Sequence, residues 1–118
     1  MRFEFEYADG LDGTSPFESH LSELDERAKT SKPERVLLKQ IFHHFRLVEE
    51  RGTRTGEPQV KHLKDKIWEM RPGSMRILFA MEGNTVLILH HFYKTTQKTP
   101  RREIERAETA LKNWQKKG

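Results

Sequence analysis

Two apolar runs, MRILFAM at Met75–Met81 and TVLILHHF at Thr85–Phe92, are parted by a Gly83-Asn84 pair. Such a pair between β-branched and aromatic stretches is the chemistry of a tight hairpin turn, since both residues tolerate positive φ. A third short run, Ile67–Met70, precedes them across Arg71-Pro72-Gly73-Ser74, which reads as another turn. Strands joined by turns this short pair antiparallel, so the segment commits the chain to a mainly antiparallel sheet. VLILHHF is apolar at successive positions, as in a strand covered on both faces, and is expected as the central strand.

The remainder supplies one more strand and three helices. In Arg2–Tyr7, Phe3, Phe5 and Tyr7 alternate with Arg2, Glu4 and Glu6, a period of two. Ala8–Thr14, with Gly10 and Gly13, reads as a loop. Ser15-Pro16-Phe17-Glu18 carries the capping grammar of a helix start, and Phe17, Leu21, Leu24 and Ala28 follow at helical spacing to about Lys29. Ser31-Lys32-Pro33-Glu34 repeats the grammar for a second helix bearing Val36, Leu37, Ile41, Phe45 and Val48, which Gly52 stops. So short a connection implies a helical hairpin. Thr53–Gln59 reads as a loop, and Thr99-Pro100 opens a last helix with a stripe of Ile104, Ala107, Ala110, Leu111 and Trp114. The expected order is β-α-α-β-β-β-α, an α+β fold in a single domain spanning 1–118.

Charge is unevenly divided. Residues 1–30 hold three Lys/Arg against eight Asp/Glu, a net −5, whereas residues 31–118 hold nineteen against ten, a net +9. A basic surface of this kind attracts polyanions, nucleic acid first among them. The absence of cysteine excludes disulfides, thiolate metal sites and a cysteine nucleophile. No run approaches a membrane span, and the alternating N-terminus lacks the apolar core of a signal peptide, so a cytoplasmic protein without membrane association is expected. No phosphate loop, HExxH, calcium loop or GxSxG elbow occurs. His43-His44 and His62 lack ligand spacing, and no metal is expected.

One group of residues has the composition of an anion site. Arg71 and Arg76 flank a turn, and Lys94 and Lys98 follow the last strand within YKTTQKTPRR, among Thr95, Thr96, Gln97 and Thr99. Hairpin topology brings that turn and the chain beyond Phe92 to one end of the sheet. Fork-shaped guanidinium groups, ammonium groups and hydroxyls would there suit a phosphodiester. The competing reading pairs the arginines with Glu69 or Glu82 and leaves the lysines coating a loop. His90 and His91 adjoin the group and point to opposite faces of an alternating strand, so one could serve as acid or base.

The stretch IWEMRPGSMRILFAMEGNTVLILHHFYKTTQKTPRREIERA resembles the C-terminal half of RelE/ParE-superfamily toxins, closest to their HigB-like, phage-derived branch. The resemblance covers about residues 60–110 and rests on the paired-arginine turn, the His-x-Phe strand end, TQKTP and the helix start REIERA. It implies a RelE-like fold and the toxin of a type II toxin–antitoxin system. The implied activity is a ribosome-dependent endoribonuclease that cleaves mRNA, needs no cofactor and is neutralised by a helix-turn-helix antitoxin. On it, Arg71 and Arg76 face the phosphate from the surface, Lys94 or Lys98 moves protons, and His90 stands in reserve. Phe92, Thr96, Thr99, Lys61 and Lys64 are the expected RNA contacts. Thr95 stands where the family commonly has a second lysine, and His91 where a small residue is frequent. ParE-like members instead inhibit DNA gyrase without catalysis, and a non-toxic RNA-binding module is a third possibility.

Overall fold

The structure is a computed structural model that describes residues 2–9 and 15–117. Residues 10–14, most of the loop expected at 8–14, lie outside the described residues. In chain order the elements are β1 (Glu4–Tyr7), α1 (Pro16–Ala28), α2 (Lys32–Arg51), a 3-10 turn (Gly52–Thr55), β2 (Val60–Lys64), β3 (Ile67–Met70), β4 (Met75–Glu82), β5 (Thr85–Tyr93) and α3 (Arg101–Lys117). The fold is α+β, with five strands and three helices among the described residues. The helix pair follows the first strand rather than opening the chain.

The sheet order is β1-β5-β4-β3-β2. The three hairpin-linked pairs run antiparallel, and β1 joins β5 parallel, Phe5 beside Val86. Two expectations need correction. β4, not β5, is the middle strand, because β1 adds outside β5; β5 is nonetheless interior, with Val86, Leu87, Ile88 and Leu89 all buried. Val60–Lys64, to which the expected order gave no strand, is a fifth strand at the sheet edge.

Both faces of the sheet are covered, which explains the continuous apolar runs. On one face Phe17 and Leu24 of α1 and Ile41 and Val48 of α2 pack on Met70, Met75, Ile77, Phe79, Val86 and Ile88. On the other, Ala107 and Leu111 of α3 pack on Ile67, Leu78, Ala80, Leu87 and Leu89. The caps act locally as their chemistry dictates: Ser15 Oγ accepts from the Glu18 backbone N–H at 3.3 Å. Gly52 ends α2 at φ 57°, and a Cβ there would meet the Phe3 ring at 3.0 Å.

Candidate nucleic-acid site at the sheet end

A bulge sets which side chains of β5 share a face. The ladder pairs Leu78 with His90 but Phe79 with Ile88, so Leu89 is the extra residue and the alternation resets there. His90 therefore falls with Leu87, Leu89 and Phe92 toward α3. His91 faces α1, where its ring stacks on His20 at 4.9 Å and meets Phe17 edge-on at 5.5 Å. Burial there, with the neighbouring His20 and His90 charges, pushes the His91 imidazole down to about 4, so it is neutral at pH 7. The expectation that the two histidines part company holds, with His90 on the α3 side.

The register then lays two rows across the sheet end. Lys61 lies opposite Glu69, Glu69 opposite Leu78, and Leu78 opposite His90. One step closer to the turn, Arg76 lies opposite Phe92. Extending the ladder one residue beyond Met70–Ile77 sets Arg71 opposite Arg76. Directly opposed residues share a face and interact. The segment after β5 returns over this end. The Lys94 backbone N–H donates to Ser74 O at 2.8 Å, and Thr99 Oγ1 donates to Glu69 Oε2 at 2.5 Å. The turn at 71–76 and the chain beyond Phe92 thus meet at one end of the sheet.

Within this frame the two arginines differ. Arg76 is 5% exposed, and its Nη1 donates to Gly73 O at 2.8 Å and Met75 O at 2.9 Å. That corrects the expectation of a surface arginine: its guanidinium clamps its own turn. Burial, then the charge of Arg71, lowers its affinity for the proton, with Glu69 opposing. Arg71 is half-buried, its Nε 3.5 Å from Glu69 Oε1 and without a hydrogen bond. The competing reading of an Arg71–Glu69 pair is therefore correct for that residue. Glu69, 2% exposed, is the shared anchor, holding Arg71 and Thr99 together.

The remaining candidates divide by location. Lys94 is half-buried and Lys98 exposed, and neither has a carboxylate partner among the described residues. Thr96 Oγ1 donates to Lys98 O at 2.8 Å, tightening the loop. Phe92 packs partly under α3, its ring 6.0 Å from that of His90. Lys61 is exposed beside Glu69, whereas Lys64 lies opposite Ile67 at the other end of β3 and approaches Glu108 of α3 at 3.9 Å. Lys64 is thus not brought to the group.

Sequence reasoning overlooked Glu103. Buried in the first turn of α3, its Oε1 accepts from His90 Nε2 at 2.8 Å, and Arg106 Nη1 approaches at 3.3 Å. The carboxylate fixes the proton on Nε2 and leaves Nδ1 as the nitrogen free to exchange one. The signal was present in REIERA, an acidic residue on the helix's apolar stripe. No helix of the described residues is long and apolar enough to cross a membrane.

No curated protein matches the chain. A family model described as Phage derived protein Gp49-like (DUF891) matches residues 20–112. That span takes in most of α1, all of α2, every strand except β1, the arginine turn, the Lys94–Thr99 segment and most of α3. The chain belongs to the phage-derived Gp49-like family.

Proposed function

We propose that this protein is the toxin of a type II toxin–antitoxin pair, with a RelE-like fold and a HigB-like, ribosome-dependent endoribonuclease activity. Membership of a phage-derived family associated with RelE/HigB-type toxins supports the class. The observation that supports the activity is the sheet end itself, where the turn bearing Arg71 meets the segment that bears Lys94 and Lys98 and is tied to Glu69 through Thr99. Its partners on this reading are mRNA on the ribosome and a helix-turn-helix antitoxin, and its compartment is the cytoplasm.

RNA carries its own nucleophile. The 2′-oxygen attacks the adjacent phosphorus, the P–O5′ bond breaks, and the products are a 2′,3′-cyclic phosphate and a 5′-hydroxyl. One proton leaves the 2′-hydroxyl and one reaches the departing 5′-oxygen. Arg71, a permanently charged fork whose Nε is turned to Glu69, stabilises the charge gathering on the non-bridging oxygens. Lys94 or Lys98 supplies or accepts a proton, and His90 Nδ1, oriented through Glu103, is the second exchanger. Arg76 is a positioning residue, holding the turn that carries Arg71. A site with no strong base depends on orientation for much of its rate, so the ribosome must present the substrate.

The test is mapping of mRNA 5′ ends after brief induction, beside purified single-stranded RNA. Wild-type protein should cut mRNA on ribosomes and naked RNA poorly. Arg71→Ala should retain its fold and lose roughly 100- to 1,000-fold in cleavage. Growth arrest with unchanged mRNA ends would overturn the reading in favour of gyrase inhibition. Efficient cutting of naked RNA would remove the ribosome from it.

A further inference from the structure

A groove of about 250 Å³ runs between α2 and the β3–β4 turn. Gln40, His43 and His44 line one side, and Pro58, Gln59 and Arg71 the other. Arg71 is the side chain common to this groove and to the cation group described above. The second side is tied together by the backbone: the Arg71 N–H donates to Gln59 O at 3.2 Å. Gly73, at φ 55°, brings the turn so close that a Cβ there would lie 2.6 Å from Gln40 Oε1.

The groups facing the groove are complementary to a nucleobase. His44 Nδ1 lies 2.7 Å from the Gln40 carbonyl oxygen, which can only accept, so Nδ1 carries the proton. Burial holds His44 below its ordinary range, so the ring is neutral and Nε2 is left as an acceptor. The Gln40 and Gln59 side chains offer both donors and acceptors, and Arg71 offers donors. His43 is exposed and stands edge-on to His44 at 6.0 Å, giving a flat ring at the mouth. Pockets that bury a whole drug-sized ligand run to about 300–1,000 Å³, so a space of this size suits one ring system, not a folded oligonucleotide. RNA sequence is read on unpaired bases through such edges and stacking rings.

We propose that this groove receives one unpaired nucleobase flanking the phosphate at Arg71, with Gln40, His43, His44 and Gln59 as its contacts. The proposal rests on the RNA-cleaving reading for its substrate. It makes the groove the determinant of which base stands beside the cut.

The experiment has two arms. In the first, isotope-labelled protein is titrated by NMR with the four nucleoside 3′-monophosphates and, separately, with inorganic phosphate. At least one nucleotide should move the Gln40 and Gln59 side-chain amides and the His43 and His44 ring signals. Its binding should weaken about fivefold or more in Gln40→Ala and in His43→Ala, both exposed positions that leave the core untouched. Inorganic phosphate should not move the glutamine amides. Nucleotides that leave the groove unmoved, or shift it no differently from phosphate, overturn the proposal. In the second arm, mRNA ends are mapped for the same variants, which should still cut with an altered base distribution beside the cut. An unchanged distribution sinks the groove while cleavage itself stands. If wild-type protein makes no cuts, the cleavage reading falls, and the titration still decides whether the groove binds a base.

Discussion

At Arg76 the guanidinium gives up most of its water and gains two backbone carbonyls, those of Gly73 and Met75. A hydrogen bond from a charged donor contributes about 1.5–3 kcal/mol, and removing it strands buried acceptors. Arg76→Ala should therefore lose at least about 2 kcal/mol, seen as a lower midpoint in thermal or urea melts. Arg76→Lys should not rescue it, since both bonds come from Nη1, which stands one bond further from the backbone than a lysine ammonium. Arg71 is the contrast in kind: its loss should cost cleavage roughly 100- to 1,000-fold and also lower the melt, because buried Glu69 loses the cation 3.5 Å away. An Arg76→Ala protein melting like wild type would show that the turn does not need its clamp. His91 gives a second measurable effect. In the unfolded chain its ring takes a proton near 6.5, in the fold only near 4. Between those values the unfolded state binds the extra proton, so stability present above about pH 6.5 is lost as pH falls toward 4. The loss is at most about 3 kcal/mol, and less because solvent reaches part of the ring. Melts from pH 7.5 to 4 should be flatter for His91→Phe, which keeps the ring stacked between Phe17 and His20.

The segment from Lys94 to Thr99 has no regular structure, yet both its ends are tied to the sheet. Thr99→Val keeps the shape and removes the hydroxyl, leaving Glu69, a buried carboxylate, one partner short. About 1–3 kcal/mol of stability should go with it. Amide exchange in 94–99 should quicken while β4 and β5 stay protected, and cleavage should fall through loss of lysine placement. Exchange rates unchanged across that segment would mean that the Glu69 tie holds nothing in place. How far such elements can be read from sequence follows from their physics. The hairpins, the capped helices and the end of α2 at Gly52 were legible because turn residues and caps are local signals. β2 was not: only Val60 and Leu63 are apolar in VKHLK, and an irregularity between His62 and Lys64 breaks the period of two. An edge strand needs no continuous apolar face, so its composition resembles a loop. The meeting of the arginine turn with 94–99 was legible from hairpin topology, and Arg71–Glu69 pairing was foreseen as an alternative. The burial of Arg76 was not, because whether an arginine faces water depends on the turn that folds back over it. The grouping of Gln40, His43 and Gln59 around Arg71 was likewise invisible, since residues from α2 and the β2 entrance meet there only in three dimensions.

Along the whole chain, acidic residues concentrate in the first thirty positions and basic ones in the remainder, −5 against +9. Acidic α1 bears Glu18, Glu23, Asp25 and Glu26, while Lys61, Lys94 and Lys98 stand at the sheet end. A polyanion approaching this protein is drawn to the lysines and repelled by the carboxylates, and salt screens both effects. For single-stranded nucleic acid, each phosphate neutralised contributes about −0.7 to the slope of log K against log salt. If Lys61, Lys94 and Lys98 each meet a phosphate, changing all three to Gln should reduce that slope by about 2. Changing Lys116 and Lys117 to Gln is the control for charge alone. They lie at the distal end of α3, and Lys117 is already 3.5 Å from Asp9. A general attraction to net charge would give two lysines about two-thirds of the effect of three. A located site gives the full change for the sheet-end triplet and almost none for the helix-end pair. Titration of a fluorescent RNA oligonucleotide at several salt concentrations separates these outcomes. Equal loss of slope per lysine in both variants would mean that RNA senses the molecule's net charge and not the sheet end, and the placement of substrate at Arg71 would fall with it.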